Sequence, residues 1–425
     1  MEEKDWSIET KVIQSGYRPG NSEPNVLPLV QSTTYKYDTA ADVAALFDLN
    51  AGTHMYSRIS NPTVEAFENK MVALEGGVAA LATCAGQSAN FLAIFNICNC
   101  GEHFVASTTI YGGTYNLFEH TLKKMGIDVT FVDPNASVDE IKQAFRPNTK
   151  ALFGETLSNP NAEILDLEKF AGIAKDMDVP LIVDNTFPTP FLCRPFEFGV
   201  DIVTHSTTKY LDGHATSVGG IVIDSGNFNW NNGKYPCLTE SDPSYHGDVF
   251  NEKFGQLGYI VKMRAQMVRD IGNIMAPMNA FLTNLGTETL HLRMERHSSN
   301  ALKVAQFLES NESIEWVRYP GLESSSYYQM HKKYLPLGCS GVFTCGIKGN
   351  RDRVEKVMNS LKLARILVHV GDLRTCVLHP ATMTHRQLSD KELKEAGISP
   401  NLIRVSVGIE NVDDIIADFK QALEK

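Results

Sequence analysis

Residues 181–185 read Leu-Ile-Val-Asp-Asn, and residues 205–210 read His-Ser-Thr-Thr-Lys-Tyr. Both stretches belong to short apolar runs that are typical of buried strands. Each run delivers a polar side chain, Asp184 or Lys209, at its carboxyl end. In an open α/β sheet, ligands bind along the edge formed by these strand ends. The two stretches therefore predict an α/β fold with a carboxylate and an amine at one sheet edge.

This combination of groups indicates pyridoxal phosphate as the cofactor. Lys209 provides an amine for an imine, and Ser206 and Thr208 provide hydroxyls for a phosphate. Asp184 would be costly to bury unpaired, but paired with a ring nitrogen it would keep that nitrogen protonated. Taken one at a time, the residues have other interpretations: a helix cap or salt bridge for Asp184, a solvent-facing lysine, and hydroxyls that cap a helix.

Two further stretches suit the same ligand. Residues 83–90 are small or polar and lead into a helical stretch, so Gly86 and Gln87 are predicted to bind the phosphate, mainly through backbone N–H groups. Tyr111 precedes two glycines after a predicted strand, where an aromatic ring can stack on a planar cofactor. The alternatives are an ordinary strand-to-helix turn and a core tyrosine.

Strands that alternate with helices predict a mostly parallel sheet covered on both faces. A capping box at Ser137 and Glu140 opens one of the helices. The predicted strands are 103–106, 129–132, 151–153, 181–183, 202–204 and 220–223.

We predict three parts for the chain. Residues 1–60 form an arm without a core, which should lie across another surface such as a neighbouring subunit's. Residues 61–290 form the cofactor-binding domain, with an ordered insertion at 225–258. A helical region at 258–308, which breaks near 276–277, contains the boundary to the next domain. Residues 291–425 form a smaller α+β domain. Its predicted features are strands at 341–344, 366–370 and 403–407 and a helix cap at Ser389 and Glu392.

Composition excludes several classes of protein. A net charge of −11 argues against a nucleic-acid partner, which would require a basic face. No apolar run approaches the roughly 18 residues that span a bilayer, and no signal peptide is recognisable, so we expect a cytoplasmic protein. The eight cysteines and twelve histidines show no metal-ligand spacing, so no metal is predicted. There is no Gly-x-Gly-x-x-Gly turn, which argues against a nucleotide-dependent oxidoreductase.

With these residues assembled, the chain resembles the Cys/Met-metabolism family of fold-type I pyridoxal-phosphate enzymes over essentially its whole length. Residues 201–211, Asp-Ile-Val-Thr-His-Ser-Thr-Thr-Lys-Tyr-Leu, match the family's lysine signature. The resemblance implies a large sheet domain of seven-stranded type with a smaller C-terminal domain. It also implies pyridoxal phosphate joined to Lys209, with Asp184 at the ring nitrogen and Tyr111 stacked on the ring.

Other family motifs imply further site residues. Residues 56–63, Tyr-Ser-Arg-Ile-Ser-Asn-Pro-Thr, imply that Tyr56 and Arg58 complete the phosphate site of a neighbouring subunit, with Tyr56 also close to the substrate. The catalytic unit would then be a homodimer, commonly arranged as a homotetramer. Residues 402–408, Leu-Ile-Arg-Val-Ser-Val-Gly, imply that Arg404 binds the substrate α-carboxylate. Asn159 is implied to contact the cofactor's 3′-oxygen.

The insertion at 225–258 resembles the one that lengthens O-acetylhomoserine sulfhydrylases. That branch implies γ-replacement: O-acetyl-L-homoserine and sulfide, or methanethiol, give L-homocysteine, or methionine, and acetate. Lys209 would act as the base, and Tyr111 would relay a proton. Methionine γ-lyase and cystathionine γ-synthase are the alternatives, although Gly113 stands where methionine γ-lyases typically have Cys.

The chain departs from the family pattern at His369, where relatives usually carry Ser or Asn before a Val/Leu-Gly-Asp turn. We expect His369 to help bind the substrate carboxylate. A neutral imidazole would replace a hydrogen bond, and a charged one would add attraction.

Overall fold

A seven-stranded sheet forms the centre of the larger part of the molecule. The computed structural model describes residues 3–50, 52–383 and 399–425. The strand order is β1-β7-β6-β5-β4-β2-β3, and all neighbours are parallel except β7, which is antiparallel to β1 and β6. The strands are β1 Ala79–Thr83, β2 His103–Ser107, β3 Asp128–Val132, β4 Thr149–Glu155, β5 Leu181–Asp184, β6 Ile202–His205 and β7 Gly220–Asp224.

The predicted strands agree with this sheet, with one omission. The inner strands β4, β5 and β6 are apolar runs because helices cover both faces of a parallel sheet. Strand β1, which reads Ala-Ala-Leu-Ala-Thr, was not predicted from the sequence. Alanine favours helices and is depleted in strands, so only pairing with β7 makes this stretch extended.

Helices surround both sheets and connect their strands. Short π-helical segments, Leu117–Leu122 and Met263–Val268, continue α5 and α11. The helices are α1 Ile8–Gln14, α2 Ala40–Phe47, α3 Pro62–Glu75, α4 Gly86–Phe95, α5 Gly112–Asn116, α6 Val138–Lys142, α7 Leu167–Asp176, α8 Thr189–Leu192, α9 Pro236–Thr239, α10 Phe250–Phe254, α11 Gly258–Lys262, α12 Arg269–Ile271, α13 Pro277–Glu288, α14 Leu290–Glu309, α15 Tyr328–Tyr334, α16 Arg351–Ser360 and α17 Val412–Leu423.

The smaller sheet has the order β10-β11-β12-β9-β8 and is antiparallel except between β10 and β11. Helix α14 packs against this sheet and against α17. The strands are β8 Ile314–Arg318, β9 Val342–Ile347, β10 Arg365–Ile366, β11 Cys376–Leu378 and β12 Leu402–Ser406.

The predicted strand at 366–370 was wrong beyond Ile366. The chain leaves the sheet after β10, and residues 368–370 line a cavity between the two sheets. An apolar run at a cavity edge looks the same in sequence as a buried strand.

The predicted helical region at 258–308 breaks at residues 272–276, as expected, and again at Thr289. The capping box of Ser137 and Glu140 is present at the start of α6. The cap predicted at Ser389 and Glu392 lies outside the described residues.

Residues 225–258, predicted as an insertion, pack on α11, and α11 supports α4. Trp230 stacks on Tyr259 with ring centroids 5.1 Å apart. The Tyr259 hydroxyl donates a hydrogen bond to the Ala93 carbonyl, and Lys262 donates to the Asn96 carbonyl, each at 2.9 Å. These contacts fix the carboxyl end of α4, whose amino end faces the cavity.

The N-terminal segment lies partly on its own chain. Helix α1 packs against α3, α13 and α14, and Val12 is fully buried there. Within residues 3–50, 52–383 and 399–425, no helix combines the length and the apolar character that crossing a membrane requires.

Candidate active site

The carboxyl ends of β4, β5 and β6 open onto a cavity of about 1160 Å³ that also reaches the smaller sheet. Ten of the twelve residues predicted from the sequence line it: Gly86, Gln87, Tyr111, Asn159, Asp184, Ser206, Thr208, Lys209, His369 and Arg404. The topology therefore brings together groups that lie more than 300 residues apart in the chain.

Lys209 lies in the turn after β6 and is mostly buried. Burial, and then the charge of Arg404, lowers the pKa of its amine to about 8. Its Nζ lies 3.5 Å from Nδ1 of His369, and no carboxylate in the described part of the chain forms an ion pair with it. A desolvated amine of this kind is suited both to imine formation and to proton abstraction near neutral pH.

Asp184 ends β5, and its carboxylate is held from two sides. Oδ1 accepts hydrogen bonds from the backbone N–H and the hydroxyl of Thr186, at 3.0 and 2.5 Å. Oδ2 accepts one from Nδ2 of Asn90 at 3.2 Å, and Asn90 in turn accepts one from Thr204 at 2.6 Å. Asn90, in α4, was not predicted, because a polar residue inside a helix gives no indication of its tertiary partner.

The amino end of α4 and the turn after β6 form one small concavity. No side chain in the described residues caps the first turn of α4, so its N–H groups are available to an anion. A Cβ on Gly86 would lie 2.6 Å from Cβ of Ser206, which means that only glycine allows this approach. The Thr208 hydroxyl hydrogen-bonds both the N–H and the carbonyl of Gly219, at 3.1 and 3.2 Å, and so also shapes the turn.

Tyr111 is the N-cap of α5 and is 48% exposed, and it lines the open cavity. Its N–H donates a 2.6 Å hydrogen bond to Oε1 of Glu155. Glu155 is buried beside Asp184 in the adjacent strand, and burial followed by the Asp184 charge raises the pKa of Glu155 well above its ordinary value. Glu155 was not predicted as a site residue, although it ends an apolar strand as Asp184 does.

The smaller sheet contributes Arg404 from β12. Its Nη1 donates to Oδ1 of Asn159 at 3.1 Å, and its Nη2 donates to the carbonyl of His369 at 3.2 Å. Arg404 is only 8% exposed and has no carboxylate partner among the described residues. A buried guanidinium of this kind is suited to bind a carboxylate through paired hydrogen bonds.

Tyr56 and Arg58 do not line the cavity of their own chain. Tyr56 is 40% exposed, and the Arg58 guanidinium lies over its ring at 5.2 Å from the centroid. An exposed aromatic–arginine pair is a suitable surface feature for a neighbouring subunit to use.

The cavity fits pyridoxal phosphate in each of its parts. Lys209 can provide the imine nitrogen, Asp184 a fixed carboxylate for the ring nitrogen, and the amino end of α4 a phosphate site. The close approach of Gly86 to Ser206, where a Cβ would lie 2.6 Å from Cβ of Ser206, keeps this phosphate end free of side-chain atoms from residue 86.

Comparison with known proteins agrees with this geometry. The family model of Cys/Met metabolism PLP-dependent enzymes matches residues 9–424. The chain is 44% identical to the O-acetyl-L-homoserine sulfhydrylase of Leptospira meyeri, over 99% of this chain and 97% of that protein. It is 45% identical to the homocysteine synthase of Schizosaccharomyces pombe, over 98% of each.

Two solved structures share the whole fold. A putative O-acetylhomoserine (thiol)-lyase of Campylobacter jejuni, which contains N'-pyridoxyl-lysine-5'-monophosphate, aligns with a TM-score of 0.95 and 38% identity, over 99% of this chain and 100% of that one. The metB structure of Corynebacterium glutamicum aligns with a TM-score of 0.85 and 30% identity, over 100% and 99%. The expected fold class is thereby confirmed.

Proposed function

The chain belongs to the Cys/Met metabolism PLP-dependent enzymes, and from this premise we propose that it replaces the acetate of O-acetyl-L-homoserine by sulfide, forming L-homocysteine. The observation that carries the proposal is the shared cavity of Lys209 and Arg404. One cation is a buried amine whose pKa is lowered to about 8, and the other is a buried guanidinium without an acid partner among the described residues. An amino-acid substrate needs both.

Pyridoxal phosphate, when bound, supplies an aldehyde that links to amines and a protonated ring that accepts the electrons of a carbanion. Lys209 would hold it covalently, Asp184 would keep the ring nitrogen protonated, and Tyr111 would stack on the ring. The N–H groups of Gly86 and Gln87, with Ser206 and Thr208, would hold the phosphate.

Arg404 binds the substrate α-carboxylate and so fixes the α carbon near the amine of Lys209. Lys209 takes the α proton and then removes a proton from the β carbon, which allows acetate to leave from the γ carbon with its bonding electron pair. After sulfide has bonded to the γ carbon, protons return to the β and α carbons. Tyr111, at the open side of the cavity, assists this proton transfer. Asn159 connects the two halves of the site, because it accepts a hydrogen bond from Arg404.

The catalytic unit is a homodimer in this proposal, and Tyr56 and Arg58 complete the partner's phosphate site. Their exposure, and their position outside their own cavity, support this assignment. Mixing Arg58→Ala subunits with Lys209→Ala subunits tests it: activity should return to about a quarter of the wild-type value, since half of the dimers then carry one intact site. No recovery on mixing would contradict shared sites.

We place the enzyme in the cytoplasm, as a homotetramer.

The reaction itself is tested by product analysis with purified enzyme. O-acetyl-L-homoserine and sulfide should yield homocysteine and acetate in equal amounts, while O-succinyl-L-homoserine should react more slowly. Lys209→Ala should lose at least about 10³-fold in turnover, whereas Lys333→Ala, an exposed lysine paired with Glu168, should not change it. If 2-oxobutyrate from methionine were the dominant product, the enzyme would be a γ-lyase.

A further inference from the structure

His369 lies in the loop between β10 and β11, and this loop is packed on the backbone that carries Lys209. Gly371 has φ +79°, and a Cβ there would lie 2.9 Å from the N of Tyr210 and 3.1 Å from the carbonyl carbon of Lys209. The Gly371 N–H also donates to the Ser406 hydroxyl at 3.1 Å. The turn after His369 is therefore fixed relative to the lysine.

Among the described residues, the imidazole of His369 has one hydrogen-bonding neighbour. Nδ1 lies 3.5 Å from Nζ of Lys209, while Nε2 is buried and has no hydrogen-bond partner within residues 3–50, 52–383 and 399–425. The carbonyl of His369 accepts from Arg404 at 3.2 Å and from the Cys376 thiol at 3.4 Å. The residue thus lies between the two cations of the site.

These surroundings favour a neutral ring. Burial, and then the charge of Lys209, lowers the pKa of His369; Asp372 and Asp212 act in the opposite direction, and Arg404 adds to the lowering. A neutral imidazole has one nitrogen that donates and one that accepts, and an ammonium group can only donate. A neutral ring that accepts from Lys209 at Nδ1 carries its proton on Nε2.

We propose that His369 is a positioning residue for Lys209: it accepts a hydrogen bond from the free lysine amine at Nδ1 and holds that amine beside Arg404. This inference deepens the proposed function and rests on its assignment of Lys209 as the base. It replaces the expectation that His369 binds the substrate carboxylate, because a neutral ring adds no charge attraction and its facing nitrogen is an acceptor. The amine that has left the cofactor is then held near the α carbon of a substrate bound to Arg404.

The test separates proton transfer from substrate binding. With the holoenzyme and L-norleucine, which carries no leaving group at the γ carbon, exchange of the α proton in D₂O is followed by NMR. The dissociation constant of norleucine is obtained from the absorbance of the bound cofactor. The variants are His369→Phe and His369→Leu, which lack an acceptor, and His369→Gln, whose side-chain oxygen can accept the same bond. His331→Gln, a buried histidine of α15 outside the cavity, is the matched control.

We expect the Phe and Leu variants to lose about tenfold or more in exchange rate at saturating norleucine, with dissociation constants within about twofold of wild type. The Gln variant should recover to within about threefold, and the control should be unchanged. Two variants without an acceptor guard against a failure of either one to fold, which the cofactor absorbance would reveal.

The proposal is overturned if the Phe and Leu variants bind norleucine about tenfold more weakly but exchange it at the wild-type rate, because His369 would then bind the carboxylate. It is also overturned if neither quantity changes. Exchange of norleucine does not require acetate or sulfide, so failure of the sulfhydrylation proposal would leave this measurement intact. Absence of α-proton exchange in Lys209→Ala would confirm that Lys209 is the base, on which the proposed role of His369 depends.

Discussion

The two sides of the cavity are constructed differently. On the side of the large sheet, Asp184 is held by three hydrogen bonds, and α4 is fixed by α11 behind it. On the side of the smaller sheet, Arg404 is buried without a carboxylate partner in the described residues, and His369 has one free ring nitrogen. The first side is complete without a substrate, as expected for a bound cofactor. The second side retains uncompensated positive charge, as expected for a substrate that carries a carboxylate and leaves again.

The largest effect should come from the substrate side. Arg404→Gln removes a buried charge-assisted pair of hydrogen bonds, which contributes about 3 kcal/mol or more. We expect KM for O-acetyl-L-homoserine to rise about 100-fold while the dissociation constant of the cofactor stays within about twofold. Steady-state kinetics and a cofactor titration measure the two quantities. Arg318→Gln, on the edge strand β8, is the control and should change neither quantity.

If Arg404→Gln instead lost the cofactor with its KM unaltered, the division of the cavity into two sides would be wrong. The same result would remove the basis for placing the α-carboxylate at Arg404.

A substitution on the cofactor side should have a smaller effect, and it should weaken cofactor binding instead of raising KM. Asn90→Ala removes the donor to Oδ2 of Asp184 and the acceptor of the Thr204 hydroxyl. A lost buried hydrogen bond of this kind costs about 1–2 kcal/mol, so the cofactor should bind about tenfold more weakly, with little change in KM. Absorbance titration with pyridoxal phosphate measures the change.

The control variant is at the other end of the same helix, α4. Asn96→Ala, just after α4, removes the side-chain hydrogen bond to the Tyr259 carbonyl, and it should lower the melting temperature without a comparable loss of cofactor affinity. Equal loss in both variants would show that Asn90 acts through helix stability and does not orient Asp184.

The sequence predicted the two sides unequally. Asp184 and Lys209 were recognisable because apolar runs end in polar groups, and strand topology places such ends together. Glu155 gives the same pattern, Ala-Leu-Phe-Gly-Glu at 151–155, and could have been found by it. Arg404 lies inside a strand, where alternation alone predicts a solvent-facing side chain. Its position was accessible only through resemblance, because the docking of one sheet on the other is a tertiary property.

The loop around His369 and the strand β1 show the same limit. A short apolar run does not reveal whether it pairs in a sheet or lines a cavity, and an alanine-rich strand is extended only because of its neighbour. Residues that support the site from within a helix, such as Asn90, depend on contacts across more than 90 positions.

The smallest effect is expected at the other end of the large sheet, which also buries a carboxylate. Asp224 ends β7, away from the cavity. Its Oδ1 accepts from the Gly226 N–H at 2.9 Å, but Oδ2 is buried without a partner in the described residues. Burial raises the pKa of Asp224 to about 7. At the site end, both oxygens of Asp184 accept hydrogen bonds.

A folded-state pKa near 7 lies above the unfolded value of about 3.9, so the folded state binds the proton more tightly between these values. Stability therefore falls as pH rises through that window, by the linkage between proton binding and unfolding. Asp224→Asn removes the titrating group but leaves a buried amide N–H without a partner. The free energy of unfolding should therefore exceed that of the wild type by on the order of 2 kcal/mol at pH 8 and should equal it at pH 5. Calorimetric melting temperatures at the two pH values measure it. Asp176→Asn, an exposed carboxylate that pairs with Lys142, should leave the difference between the two pH values as in the wild type. If Asp224→Asn were as pH-sensitive as the wild type, the pH dependence would come from another buried carboxyl group. Asp201 would be the next residue to test, because it lies at the same end of the sheet and burial also raises its pKa.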